Sequence, residues 1–595
     1  MLQNKYWRRK LSLEFRVLVF LPLIGFYSLL GAAPDPKGDL VDKVGAQREE
    51  ALPSAKPREG GDKFPKVEKD TNADDSSLGV NLAVIRLVAH QDQVDLEATF
   101  RIAAPVMVGP NLNLPKDLAA GLESAYLGKP VSAFLLEGVI KDIINAYRAS
   151  DYPLVDAYLP EQNITGGKLQ IVIREAVLGE VTVEGAKRSK PGYLLKQIRA
   201  RKGERINTSI LERDIDWMNT NVSRRVDIIY QRGADDGTSD VILKTDDLSS
   251  FASFYTSFGN TGVAATGLEE WATGFNFPGI FGTEQSFGYN FGSDYDFDNL
   301  RAHSIVYEVP LPWRHRLQFI GAYVLSNTAS GGGLNVDGES IQTSIDYKMY
   351  PPKLFGKHRQ NLSLGWDFKS TNTDILFGGA SVSATSAEVF QFRVGYDVTL
   401  SDDHGYTRFD AGLAYSPGDI TEGNNDTDFS ALRAGSTARY HYFTGGVERY
   451  IKLPAEFAFL LRANGQITDD RLISTEQILA GGYRSVRGLD ENVARGDSGL
   501  MGSVELHAPP FSLFKTEGEK FDQNSLYGFY DFAQLYSNGT VAAEPDQSLQ
   551  TLGLGLNCRF GEHASLRTSY GWVMDSSGVN DLGSGKLHFG VTVSF

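Results

Sequence analysis

Cysteine is nearly absent. The 595-residue chain holds one, Cys558, which excludes an intrachain disulfide and any cysteine-based zinc site. Beyond the N-terminus no run of eighteen apolar residues occurs, so no internal segment can cross a membrane as a helix. Positive charge is in deficit. The formal net charge is −16, which argues against a nucleic-acid partner. Also missing are the serine-hydrolase elbow G-x-S-x-G, the zinc-protease helix H-E-x-x-H and the phosphate-cradling G-x-x-x-x-G-K-[ST]. The nine histidines are scattered. These absences lead us to expect no enzyme, no metal, no cofactor and no catalytic residue.

What the chain does have is alternation. In its last ten residues Leu587, Phe589, Val591, Val593 and Phe595 share one face of an extended strand, opposite His588, Gly590, Thr592 and Ser594. The pattern recurs in 285–291, in 390–400 and in 552–560, where Cys558 takes an apolar-face position. The opposite positions are glycine, amide or charge, which suits a wet interior better than a dry core. Roughly sixteen such segments fit between Phe251 and Phe595, about 22 residues each, as in an outer-membrane barrel with an even strand number. The links alternate in length. Polar Gly/Ser/Thr/Asn stretches at 326–340, 369–387 and 416–434, read as long loops, alternate with short links at Ser401, at Leu453-Pro454 and at Gly561-Glu562. Only 509–524 is too long for a simple turn.

The N-terminal region differs. Lys5, Arg8, Arg9, Lys10 and Arg16 precede an apolar stretch from Val17 to Leu30, followed by Gly31-Ala32-Ala33, the parts of a signal peptide over 1–33. Residues 34–81, rich in Asp, Glu, Lys, Pro and Gly, read as a flexible linker with a weak helical pattern, a candidate plug helix, at Leu40 to Leu52. Two β-α-α-β-β units follow, over 82–176 and 177–248, before a barrel over 249–595. In the first, Ala83 to Val88 and Leu96 to Ile102 read as extended and Lys116 to Leu127 as a helix. A second helix spans Ser132 to Ala149, capped by Ser132, with Phe134, Leu135, Val139, Ile143 and Tyr147 as its apolar face. In the second unit, strands at Gly179 to Val183, Val226 to Tyr230 and Asp240 to Lys244 flank helices near Gly192 and Ser209.

The stretch YLPEQNITGGKLQIVIREAVLGEVTVEG, 158–185, resembles the junction between two POTRA domains in two-partner-secretion transporters, the haemolysin secretion and activation family of the outer-membrane barrel-assembly superfamily. A second marker is Val486-Arg487-Gly488, between the eleventh and twelfth expected strands, where that family folds a VRG-(Y/F) loop back into the lumen; Leu489 replaces the aromatic. The resemblance supplies Arg487 with a partner, an aspartate in an F-x-D-x-G motif on strand thirteen. Here that motif reads Phe529-Tyr530-Asp531-Phe532-Ala533, with alanine for glycine. A buried guanidinium needs such a carboxylate, and its planar fork suits bidentate pairing. Gly488 would allow the tight tip.

The resemblance implies an α+β POTRA pair and a sixteen-stranded antiparallel transmembrane β-barrel in the outer membrane of a diderm bacterium, with the POTRA domains in the periplasm. It implies secretion, without ATP, of a large, unfolded, β-rich exoprotein. The other partners it implies are outer-membrane lipid and, during biogenesis, the barrel-assembly machinery and periplasmic chaperones. Two alternatives stand beside it: a barrel-assembly factor of the same superfamily, and a passive porin or surface-adhesion barrel.

Overall fold

The computed structural model describes residues 66–67 and 74–595, apart from 188, 222–223, 248–251, 281–283, 331–333, 352–357, 378–379, 517–518, 540–543, 562 and 578–583. The expected signal peptide, the candidate plug helix, most of the linker and Phe251 lie outside the described residues. The chain divides into two compact units, with the break at Ser249/Ser250.

The N-terminal unit holds two small α/β layers. In the first, β1 (Val84–Val88), β2 (Val106–Val108), β3 (Val155–Tyr158) and β4 (Lys168–Glu175) form a sheet in the order β2-β1-β4-β3. Helices α1 (Leu118–Tyr126) and α2 (Ala133–Arg148) pack on it. Ser132 caps α2 as expected, its hydroxyl accepting from the Leu135 amide at 3.1 Å. Leu135, Val139, Ile143 and Tyr147 are buried, whereas Phe134 lies off that stripe and is 38% exposed. Leu96 to Ile102 is not a strand. The Asp95 carboxylate accepts from the Thr99 hydroxyl and the Phe100 amide, while Lys168 Nζ donates to the carbonyls of Ala98 and Phe100. These side chains satisfy a backbone that would otherwise need a neighbouring strand.

The second layer repeats the plan. Strands β5 (Val177–Glu184), β6 (Arg224–Arg232) and β7 (Thr238–Asp247) lie in the order β5-β7-β6, covered by α3 (Pro191–Gln197) and α4 (Thr208–Met218). Glu175 fastens the two layers. It accepts from the Tyr147 hydroxyl at 2.8 Å and pairs with Arg205 at 2.6 Å. Burial, followed by the Glu175 carboxylate, pushes the Tyr147 hydroxyl pKa far up, so it stays a donor. Strand β5 is an edge, but only in part open. Residues 203–206 hydrogen-bond to Ala176 and Leu178, and among the described residues no backbone segment pairs with the outer side of Val181–Glu184.

The C-terminal unit is a closed barrel of sixteen strands, every neighbour antiparallel. Closure leaves no open sheet edge, the condition for crossing lipid with strands. Its first strand is Ser253–Gly259 and its last Gly585–Ser594. Phe595 completes the seam, exchanging both backbone hydrogen bonds with Phe254 at 2.8 and 2.9 Å. Outward positions are apolar and exposed: Leu364, Phe392, Val394, Val504, Leu554 and Leu587 among them. Inward positions are polar and buried, including Asn290, Asp367, Gln391, Glu505, Asp531 and His588.

Two expected loops are not loops. Strands five (Arg316–Ser330), six (Leu334–Met349), seven (His358–Phe377) and eight (Ala380–Asp402) run through most of 326–340 and 369–387. Strand seven, at 20 residues and about 3.3 Å each, is roughly twice as long as the apolar band requires. Outside lipid both faces of a hairpin are wet, so polar residues such as Glu339 and Asn372 pair across it and read as loop. The third expected loop contains a helix, α5 (Asp426–Leu432), capped by Asn425. In 509–524 a short ladder joins Lys515–Thr516 to Glu519–Lys520.

Candidate functional site: a loop strapped inside the barrel

Between strands eleven (Ala458–Ile467) and twelve (Ser498–His507) the chain does not stay outside. It turns into the barrel as a small hairpin, Ile478–Ala480 pairing with Ala494–Gly496, and Arg487 lies at its tip. Strand thirteen (Asp522–Tyr536) presents Tyr527, Phe529, Asp531, Ala533 and Leu535 inward, all buried.

Arg487 and Asp531 meet in the bidentate geometry that the fork favours. Nε donates to Asp531 Oδ2 at 2.8 Å and Nη2 to Oδ1 at 2.7 Å. The Arg487 backbone amide adds a third bond at 3.0 Å, and Ser503 donates a fourth at 2.6 Å. Asp531 is fully buried and Arg487 is 6% exposed. A second carboxylate, Glu505 on strand twelve, stands 2.8 Å from Arg487 Nη1. Phe529 lies flat beneath the guanidinium, 3.8 Å from ring centre to Cζ. Each nitrogen of the guanidinium is thus occupied, and its face is covered.

Gly488 has φ +93°, and a Cβ there would come within 2.5 Å of the Gly571 carbonyl oxygen. Two backbones touch at this point, so glycine is needed on both the loop and strand fifteen (Ala564–Asp575). The Gly488 amide donates to His588 Nε2 on strand sixteen at 3.1 Å. Val486 and Leu489 are buried in an apolar cluster with Ile478, Ala533, Leu535 and Leu549. Leu489, which stands in the place of the expected motif aromatic, is packed in this cluster, and the alanine at 533 belongs to it as well.

The site residues read from sequence come together at one place: Val486, Arg487 and Gly488 on the loop, Phe529 and Asp531 on the wall. Phe595 is elsewhere, at the seam. Sequence reasoning missed Ser503, Glu505, Gly571 and His588. Each sits at an inward position of an alternating strand, which was the available signal, but alternation alone does not say which inward residue meets a loop.

At the loop's outer end, Arg433 just beyond α5 pairs with Asp497 (Nη1 to Oδ1, 2.5 Å) and with Glu544. Arg471 also reaches Glu544, at 2.8 Å. The hydrogen bond from Arg433 holds the Glu544 carboxyl below its usual pKa.

Comparison with known proteins gives a consistent picture. The profile for haemolysin secretion/activation protein ShlB/FhaC/HecB matches residues 237–558, and that for a ShlB-type POTRA domain matches 106–176. The heme/hemopexin transporter protein HuxB of Haemophilus influenzae strain 86-028NP is 22% identical over 461 residues, 75% of this chain and 79% of that one. The outer membrane transporter CdiB-2 of Burkholderia pseudomallei strain 1026b is 23% identical, covering 64% of this chain and 66% of its own. Among solved structures, CdiB from Escherichia coli aligns with a TM-score of 0.69 at 18% identity, covering 94% of this chain and 97% of that one. CdiB from Acinetobacter baumannii aligns at 0.63 and 16% identity, over 96% and 100%.

Proposed function

The chain belongs to the haemolysin secretion/activation protein family, and from that premise we propose how it moves its partner across the outer membrane. As a member it is an outer-membrane transporter that secretes a partner protein. Our reading is finer. The partner is a large β-rich exoprotein, held unfolded in the periplasm and passed through the barrel without ATP, as suits a compartment that has none.

The observation that carries this reading is the joining of two elements. The POTRA unit ends a sheet on the partly open strand β5, where Val181–Glu184 offers a ladder to a guest strand. The groove beside α3 and α4 is a second candidate contact. The barrel encloses a loop that is no part of its closed strand ladder and is held by a buried ion pair and small apolar clusters, so the interior can be vacated without breaking that ladder. Capture thus belongs to one unit and conduction to the other.

A porin has no use for the POTRA layers, which disfavours that alternative. A barrel-assembly factor remains the second reading, because the same layers could present strands to lipid. The test is deletion of residues 82–246. The truncated barrel is expected to insert at normal level while the partner protein disappears from the culture medium. Undiminished export by the truncated chain would remove the POTRA domains from the mechanism.

A further inference from the structure

The loop is held at more than its tip. Halfway along the inward path, Glu476 is 1% exposed, and both of its carboxylate oxygens are occupied by residues of the facing wall. Lys369 of strand seven donates to Oε1 at 2.8 Å, and the Tyr442 hydroxyl of strand ten (Arg439–Lys452) donates to Oε2 at 2.9 Å. The Glu476 backbone carbonyl accepts from Gln466 of strand eleven at 2.9 Å. Just before it, Leu472 and Ile473 are buried against Ala387 and Val389 of strand eight and Phe429 of α5. On the other side of the tip, Asp490 pairs with Lys586 of strand sixteen at 2.5 Å.

Placed on the barrel, these contacts describe a strap. One end is fastened at strands seven and ten, the middle at strands twelve and thirteen through Arg487, and the far end at strand sixteen. From seven to sixteen is nine steps round a sixteen-strand wall, more than half the circumference. A loop fixed only at Arg487 could swing about that point and still leave its root across the lumen. A loop fixed at both sides cannot clear the lumen until both fastenings open.

We propose that Glu476, with Lys369 and Tyr442, is a second clasp that holds the loop across the lumen, acting as a positioning group for the gate independently of the Arg487–Asp531 pair. The need for the gate to open rests on the secretion reading; the clasp itself does not. The physical logic is that of a buried carboxylate with two charge-assisted or polar donors. Removing the lysine leaves it with one neutral donor in a restricted space, and the loop gains by moving the carboxylate toward water.

The test needs no secreted partner, so its failure and a failure of the secretion reading show separately. Full-length protein is reconstituted in planar lipid bilayers in potassium chloride, and the open fraction is recorded for wild type, Lys369→Met, Glu476→Gln and Lys369→Arg. Lys369→Met and Glu476→Gln are expected to raise the open fraction on the order of ten-fold, with Lys369→Arg close to wild type. Combining Lys369→Glu with Glu476→Lys is expected to bring it back down. The control is Asp346→Asn, which breaks a wall pair with Arg393 (3.0 Å) that does not touch the loop and is expected to change nothing. Heat-modifiable gel mobility confirms a folded barrel in each variant. A Lys369→Met barrel no more open than wild type, while Arg487→Ala is more open, overturns the clasp. An equal rise in Asp346→Asn would also overturn it, showing that any loosened wall leaks.

Discussion

Arg487 shows how much one side chain can be made to do inside a barrel. Its charge is cancelled by Asp531 and shared with Glu505, and its planar face rests on Phe529. Truncating either partner of a buried pair costs on the order of 3–5 kcal/mol, because the other charge is left stranded. Arg487→Ala and Asp531→Ala are each expected to displace the loop and lower export. The double variant is expected to lose no more than the worse single one. Strictly additive losses in that cycle, read as partner protein in the medium, would mean that the pair does not act as one unit. Gly488→Ala and Gly571→Ala make a separate prediction. Either Cβ would push the tip off strand fifteen, so both variants are expected to raise conductance while leaving the Arg487–Asp531 pair chemically intact. Conductance equal to wild type in both would contradict the backbone contact.

The outer fastening predicts a pH dependence at the same scale. Arg433 lowers the Glu544 pKa below the ordinary 4.5, so the folded state favours the carboxylate. A lowered acid contributes stability that is present above the unfolded value and is lost as pH falls through the folded one. Conductance is therefore expected to be flat through neutral pH and to rise only below about 4.5, the ordinary glutamate range. In Glu544→Gln this acid-dependent step should be smaller; an unchanged step would assign it to another group.

At the scale of elements, α2 illustrates what local sequence settles. Its cap, its length and four of its five expected core residues follow from spacing, and only Phe134 departs. Ser132→Ala is expected to destabilise the POTRA unit by about 1 kcal/mol, measured by urea unfolding, since it removes a buried cap that also bonds Asp75. No change in midpoint would mean that the cap is redundant with tertiary packing. The sixteen strands and the terminal seam were legible because period-two alternation leaves a mark in the chain, whereas the Arg487–Asp531 meeting was legible through the family resemblance, which supplied the aspartate on strand thirteen. The extended hairpins through 326–340 and 369–387 were not, because beyond lipid a strand no longer needs an apolar face. Glu476 was illegible for a different reason. A lone glutamate in a polar connection looks solvated until the fold brings Lys369, 107 residues away, to meet it.

At the scale of the whole molecule, the chain forms two units, to which the proposed function gives separate work. One carries small sheets with a partly open edge; the other carries an apolar belt, a polar interior and a loop fastened across it. Nothing in the barrel wall must unfold for the loop to leave, since the strand ladder is closed on itself without it. That separation distinguishes secretion of a partner from assembly of other barrels. The direct measurement is the protein content of culture medium, periplasm and outer membrane in cells with and without this chain. On its loss one or a few large polypeptides are expected to vanish from the medium, while the outer-membrane barrel proteins stay at normal level. An unchanged medium, with outer-membrane barrel proteins depleted, would contradict it.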